Sequence, residues 1–454
     1  MTDFVSRRPP AEKRKFVSES VEAAVARLGR RIADPEIAWL FANCFPNTLD
    51  TTVRYRTVGG KPDTFVVTGD IDAMWLRDSA AQVWPFLPLA KEEGKLRDLV
   101  AGVIRRQAAC VLIDPYANAF NDGPAKSPWA GDLTEMKPEL HERKYEIDSL
   151  CYPVRLAHGY WKTTGDGSVF DTAWREAMRL VVATLREQRR MSGPGPYRFQ
   201  RVSAVPYDTV PLGGYGNPTR RCGLVHSAFR PSDDACIYPY LVPSNMFAVV
   251  ALRALEEICR AEIHDAPLAA ACAFLAGELT EALEAAAVAV HPVRGAVWAY
   301  EVDGFGNALF MDDANVPGLL SLPYIGWCAP DDARYRATRA CVLSGENPFF
   351  FRGRAAEGIG GPHVGLDMIW PMGIIVRALT STDDDEILRC LRMLKGTHAG
   401  TGFMHESFHK DDPSNYTRGW FAWANTMFGE LILRLEAERP ALLASPLPEQ
   451  EPWA

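Results

Sequence analysis

Two stretches of this chain place carboxyls where acid–base chemistry needs them. In Phe229-Arg230-Pro231-Ser232-Asp233-Asp234 a pair of acids follows a ring and an arginine. A carboxyl held partly out of water, or beside a second one, keeps its proton toward neutral pH and can give it to a leaving group. Asp233 is the preferred donor, with Asp234 its neighbour and alternative; a helix-capping aspartate is the competing reading. The second stretch, His405-Glu406-Ser407-Phe408-His409, supplies Glu406 as a general base with two histidines for hydrogen-bonding neighbours. It also matches the H-E-x-x-H signature of zinc hydrolases. That signature works on a helix, where both imidazoles share a face. Gly400 and Gly402 just upstream and Asp411-Asp412-Pro413 just downstream disfavour one. The zinc hydrolase, with Glu430 as third ligand, stays as a rival.

Further acids, arginines and rings cluster in other loops. Gly69 to Ser79 holds Asp72, Trp75, Arg77 and Asp78. Carboxylates and guanidinium take hydroxyl hydrogen bonds, and an aromatic face covers C–H edges, so the mixture suits a sugar. Asp148, Arg230, Asp313 and His363 belong to comparable loops and are candidates for the same ligand. Acids at helix entries also act as caps, which competes with a binding role for each. Trp420 and Trp423 share a helix face; Trp420, nearer the loop, is the candidate for stacking on the ligand.

The elements that must hold these loops are helical. Apolar periodicity marks helices over Phe16–Ile32, Pro35–Phe45, Trp75–Ala90, Gly94–Ile113, Leu150–Thr163, Val169–Arg190, Ser244–Ile263, Pro267–Val290, Asp332–Leu343, Leu366–Leu379, Asp384–Lys395 and Gly419–Glu436. Loops near Asp72, Glu135, Tyr215, Phe305, Gly358 and Glu406 recur at spacings of roughly 50 to 90 residues, about two helices and their connections. Six helical hairpins closing into a ring, an all-α (α/α)6 toroid, bring alternate loops to one end. Small β-hairpins are expected in the loops, at Val53–Val67 and Ala296–Val302. Residues 1–15 read as a polar, solvated leader, 16–445 as one catalytic domain and 446–454 as a tail.

A net charge of −8 gives no reason to expect nucleic acid or anionic lipid as a partner. No run approaches the roughly 18 consecutive apolar residues that span a bilayer. The ten cysteines lie scattered, without a C-x-x-C pair, as small hydrophobes do in a reducing compartment. A cytoplasmic location is the expectation.

The stretches GDIDAMWLRDSAAQVWPFLPLA, KYEIDSLCYPVRLAHGYW, SAFRPSDDACIYPYLVPSNMFA and HESFHKDDPSNYTRGWFAWANTMFGELIL, from near Asp70 to Leu433, resemble family 125 of the glycoside hydrolases, the exo-α-1,6-mannosidases. The resemblance implies an (α/α)6 barrel that removes terminal α-1,6-linked mannose from oligosaccharides with inversion, without metal or other cofactor. It implies an acid in RPSDDAC, carried over as Asp233 or Asp234, and a base in HESFH, carried over as Glu406. Another sugar-active (α/α)6 enzyme and a non-catalytic sugar-binding protein are the remaining alternatives.

Overall fold

A computed structural model describes residues 4–447. Five helices begin at nearly full burial: α3 (Leu76–Val83), α5 (Ile147–Thr164), α7 (Val242–Ala261), α10 (Pro371–Leu379) and α12 (Ala422–Glu438). They pack side by side in the order α3, α5, α7, then α10, α12 and back to α3. Between α7 and α10 the ring is filled by Gly318–Trp327, a coiled run of turns. Around this inner ring lie α2 (Pro35–Cys44), α4 (Gly94–Ile113), α6 (Thr172–Glu187), α8 (Ala266–Ala286), α9 (Ala333–Val342) and α11 (Asp384–Gly396), with α1 (Glu19–Arg31) packed on α2. Six inner–outer pairs result, an all-α (α/α)6 toroid. The sixth pair joins the two ends of the chain, α12 against α2.

The two layers start differently. Most outer helices carry a side-chain cap: Ser18, Asp34, Asp171, Asp265, Asp332 and Asp383 each accept from a first-turn amide. The inner helices α3, α5, α7, α10 and α12 have none, and are entered through extended residues Trp75, Glu146, Leu241, Trp370 and Phe421. Their amide ends, and the positive ends of their dipoles, point to one end of the ring.

Small sheets decorate that end. Val53–Val58 pairs with Lys61–Val66 through Gly59-Gly60, both at positive φ, as a two-residue hairpin turn demands. The second hairpin lies earlier than Ala296–Val302: Val288–His291 pairs with Gly295–Trp298, and Glu301–Val302 joins a different sheet. Helix α8 accordingly stops at Ala286, where valines at 288 and 290 favour a strand. Helix α10 starts at Pro371, not at 366, because a proline disfavours helical backbone in the residue before it. Pro85 and Pro88 break the run expected as far as Ala90.

Residues 4–15 are mostly exposed, as a solvated leader would be, but the segment is tied to the body of the protein. Arg8 lies with its side chain only 7% exposed, paired with Asp50 and Glu22, and Trp39 Nε1 donates to the Val5 carbonyl. Of the expected tail, residues 448–454 lie outside those described. Helix α8 is the one described helix long and apolar enough to cross a membrane, and its Leu268, Leu275, Leu279 and Leu283 are buried in the protein.

Candidate active site

Loops leading into the inner ring converge on a pocket of about 400 Å³ that includes its open mouth. Thr68, Ile71 and Trp75 come from the entry to α3; Pro231, Ser232 and Asp233 from the stretch before α7; Asn315 from just ahead of the turn-built segment. His363 and Trp370 precede α10, while Glu406, Arg418 and Phe421 precede α12. Arg77, Asp78 and Trp423 reach in from the first turns of α3 and α12. Below, the ring axis is closed by rings: Tyr152 meets Phe247 and Trp423 edge-on, with centroids 5.0 and 6.3 Å apart.

Asp233 and Asp234 part company in a tight turn. Asp233 N donates to the Arg230 carbonyl at 2.9 Å and Arg230 N to the Asp234 carbonyl at 2.8 Å, with Asp233 at φ 67°. Aspartate tolerates this left-handed conformation better than most residues. The turn sends Asp233 into the pocket and Asp234 behind it, onto His363 Nδ1 at 2.9 Å.

Arg77 sits beneath, 3% exposed, among four carboxylates. Its Nη1 donates to Glu146 at 2.6 Å and Asp148 at 3.2 Å, Nη2 to Asp233 at 3.1 Å, and Nε lies 3.5 Å from Asp78. Burial pushes Asp78 and Asp148 up to about 6 against the pull of Arg77. It lifts Glu146 well above the carboxylate range. Burial raises Asp233 too, but Arg77, a hydrogen bond from Glu146 and Lys144 outweigh it and hold its carboxyl well below the usual value. Burial disfavours charge on His363 as well, yet Asp234 pushes it up to about 9.

Glu406 lies just before a strand, Ser407–His409, that pairs with Asp412–Thr417. Its Oε1 is 3.5 Å from Arg418 Nη1. Because Ser407–His409 is a strand and no helix includes His405 or Glu406, the helical geometry of the zinc signature is not met. His405 Nδ1 lies 3.1 Å from the Arg418 carbonyl and its ring stacks on Tyr416, while His409 Nδ1 accepts the Asp411 amide. Glu430, the third ligand in that reading, accepts from Tyr324 and lines a different cavity. Among the described residues, His291, Cys341 and Glu346 alone bring three ligand-type atoms within 4.8 Å of one another. They do not line the pocket, and His291 Nδ1 already accepts from Val293 and Arg294.

Of the expected ligand contacts, Trp75, Arg77, Asp78 and His363 line the pocket with Asp233 and Glu406. Asp148 and Asp234 stand one layer behind, holding Arg77 and His363. Asp313 is buried and orients Asn315 at 2.8 Å. Arg230 is a structural ion pair with Glu301 at 2.6 Å. Asp72 is exposed and pairs with Arg54. His405 and Trp420 are outside the lining; Trp420 covers Gly69, and Trp423 and Phe421 take the inward positions. Not anticipated were Asn315, Trp370, Arg418, Phe421 and the buried Glu146. Trp370 had a signal, since it precedes an inner helix as Trp75 does. Trp75 Nε1, Trp370 Nε1 and Ser232 Oγ are buried without a hydrogen-bond partner in the protein.

A toroid of helical hairpins whose pocket sets acids against tryptophans and arginines is a glycoside hydrolase of the (α/α)6 class. The family described as metal-independent α-mannosidase matches residues 34–433. A curated relative, the meiotically up-regulated gene 157 protein of Schizosaccharomyces pombe, is 42% identical over 96% of this chain and 89% of its own length. A Streptococcus pneumoniae metal-independent α-mannosidase, solved as a non-productive complex with α-1,6-mannobiose, is 42% identical, with TM-score 0.90 over 94% of this chain and 100% of that one. A bacterial glucoamylase bound to acarbose shares the fold alone, at 12% identity and TM-score 0.52 over 90% of this chain and 56% of that one. The chain belongs to glycoside hydrolase family 125, the metal-independent α-mannosidases.

Proposed function

We propose that the protein is an exo-acting α-1,6-mannosidase that hydrolyses with inversion, Asp233 as general acid and Glu406 as general base. One observation carries the assignment: the two carboxyls enter a single pocket ahead of α7 and α12, three positions apart in a six-membered ring. Asp233 protonates the departing glycosidic oxygen while Glu406 takes a proton from the water that attacks the opposite face. Inversion requires roughly 6.5 to 9.5 Å between the carboxyls, to seat that water. Trp75, Trp370 and Trp423 offer their rings to the terminal sugar, and Arg77, Asp78 and His363 hold its hydroxyls. The ring-filled floor leaves space for a chain end only, which supports exo action. Support for the linkage comes from the S. pneumoniae enzyme and its α-1,6-mannobiose. A cytoplasmic site is supported by ten unpaired thiols, eight of them buried.

Proton NMR of α-1,6-mannobiose digestion tests the stereochemistry. The β-anomer of mannose should appear first and then mutarotate; initial α-mannose would mean retention. Glu406→Gln should lower turnover at least about 1,000-fold, an upper-range effect for a general base. Calorimetry should still detect mannobiose binding to the variant, and near-normal turnover would remove Glu406 as the base.

A further inference from the structure

Asp233 lies in surroundings that favour its charged form. Its Oδ1 accepts from Arg77 Nη2 at 3.1 Å and Asn118 Nδ2 at 3.3 Å, and Lys144 Nζ sits 2.9 Å from its carbonyl. An ionised carboxylate has no proton for a glycosidic oxygen, so one must be stored close by. Glu146, 1% exposed at the entry to α5, has the right arrangement. Its Oε2 accepts twice, from Arg77 Nη1 at 2.6 Å and Ser149 Oγ at 2.8 Å, while Oε1 is buried and receives no donor. A buried carboxylate oxygen without a donor is costly, whereas a protonated one is satisfied by donating. Arg77 spans the pair, one terminal nitrogen on each, and sets the two carboxyls within hydrogen-bonding reach of one another.

We infer that Glu146 and Asp233 form a carboxyl dyad sharing one proton, in which Glu146 Oε1–H donates to Asp233 and hands it the proton that Asp233 delivers. Glu146 touches no substrate and is a positioning residue. The idea rests on the assignment of Asp233 as the acid. As the C1–O bond breaks, its electron pair stays on the departing oxygen, Asp233 supplies the proton and the sugar leaves as a neutral alcohol. The dyad is then doubly ionised. Glu406 has meanwhile taken a proton from the attacking water; it releases that proton to solvent, and the dyad regains one from solvent. Other charges facing the pair are Arg77 and Asp78 on α3, Asp148 on α5, Lys144 before it and His363 ahead of α10. Burial and the neighbouring Asp233 and Asp148 charges lift Glu146 in the same sense, against Arg77.

The test is the pH profile of kcat/KM for Glu146→Gln on two substrates. On α-1,6-mannobiose the high-pH limb should move down by about two pH units, so that above the parent limb the rate should fall about 100-fold, since each unit is a factor of ten in the protonated fraction. On 2,4-dinitrophenyl α-mannoside, whose leaving group needs no proton, the variant should stay within about five-fold of the parent, a smaller loss than removal of a general acid causes. An unmoved limb, or equal losses on both substrates, overturns the dyad. Should Glu146→Gln fail to fold, Ser149→Ala removes one donor from Oε2, and the limb should move upward; an unmoved limb again overturns it. Asp233→Asn separates the two ideas. If Asp233→Asn loses mannobiose activity while the Glu146 profile is unchanged, only the dyad fails; if it keeps the parent rate, the acid assignment itself fails.

Discussion

Neighbouring residues of one type end in different roles because the backbone between them turns. Asp233, at φ 67°, faces the pocket, and Asp234 turns away to His363, which keeps the imidazole charged. This ion pair has a pH signature whose sign follows from its direction. A histidine raised to about 9 from an ordinary value near 6.5 gives its full stabilisation below about pH 6.5 and loses it as pH rises through about 9. Calorimetry from pH 6 to 10 should therefore show a melting temperature that falls across this window, and His363→Gln should flatten the fall. An equal fall in the variant would show that other groups cause it. From the sequence the carboxyls and Trp75 were legible because acids beside rings and arginine are rare in a core. Glu146 was not singled out from Asp148, since both are buried and which of them comes beside Asp233 depends on the packing of α3 against α5.

Helices were legible almost to the residue where outer caps mark them, as at Pro35 and Asp384. Inner-helix starts were harder, because Trp75, Glu146, Trp370 and Phe421 stand in extended backbone where a polar cap would otherwise mark the entry. That same substitution is the signal that would have found Trp370 and Phe421: a large or charged side chain at an uncapped entry serves the pocket instead. The preference for Trp420 over Trp423 failed for a related reason. Helix α12 begins at Ala422, so Trp420 belongs to the loop and Trp423 to the first turn facing the axis. Packing between elements is equally specific at Gly102. There α4 lies so close to the hairpin Val53–Val66 that an added Cβ would meet Thr64 Oγ1 at 2.3 Å and its amide nitrogen at 2.9 Å. Gly102→Ala should cost about 1–3 kcal/mol, as overpacking does, despite alanine's better helix propensity. Chemical denaturation checks this, and a stabilised variant would show that the hairpin yields.

At the scale of the whole molecule, the ring closes through residues far apart in sequence. Helix α12 packs on α2 and α3, Glu436 near its end pairs with Arg27 and Arg31 of α1, and Lys395 of α11 reaches Asp34. The toroid was legible from the recurrence of helix pairs, whereas the role of the first residues was not. Arg7-Arg8 and Glu12 to Lys15 read as solvated because composition carries no record of buried partners, and Arg7, Glu12, Lys13 and Lys15 are exposed. Yet Arg8 clamps Asp50, which is 2% exposed, through Nε at 2.7 Å and Nη2 at 3.1 Å. Burial already pushes the Asp50 carboxyl up, and Arg8 is the chief opposing group. Removing one partner of a buried pair leaves the other charge without compensation, which costs about 3–5 kcal/mol. Arg14, 3.6 Å from the same carboxylate, recovers part of that loss, so Arg8→Ala should cost about 3 kcal/mol. The pocket lies at the entries to the inner helices and does not include Arg8, so kcat/KM below the transition should stay within about two-fold of the parent, as expected for a site without shared partners. A denaturant midpoint unchanged by Arg8→Ala would mean that the first residues only rest on the ring, and that α12 against α2 closes it unaided.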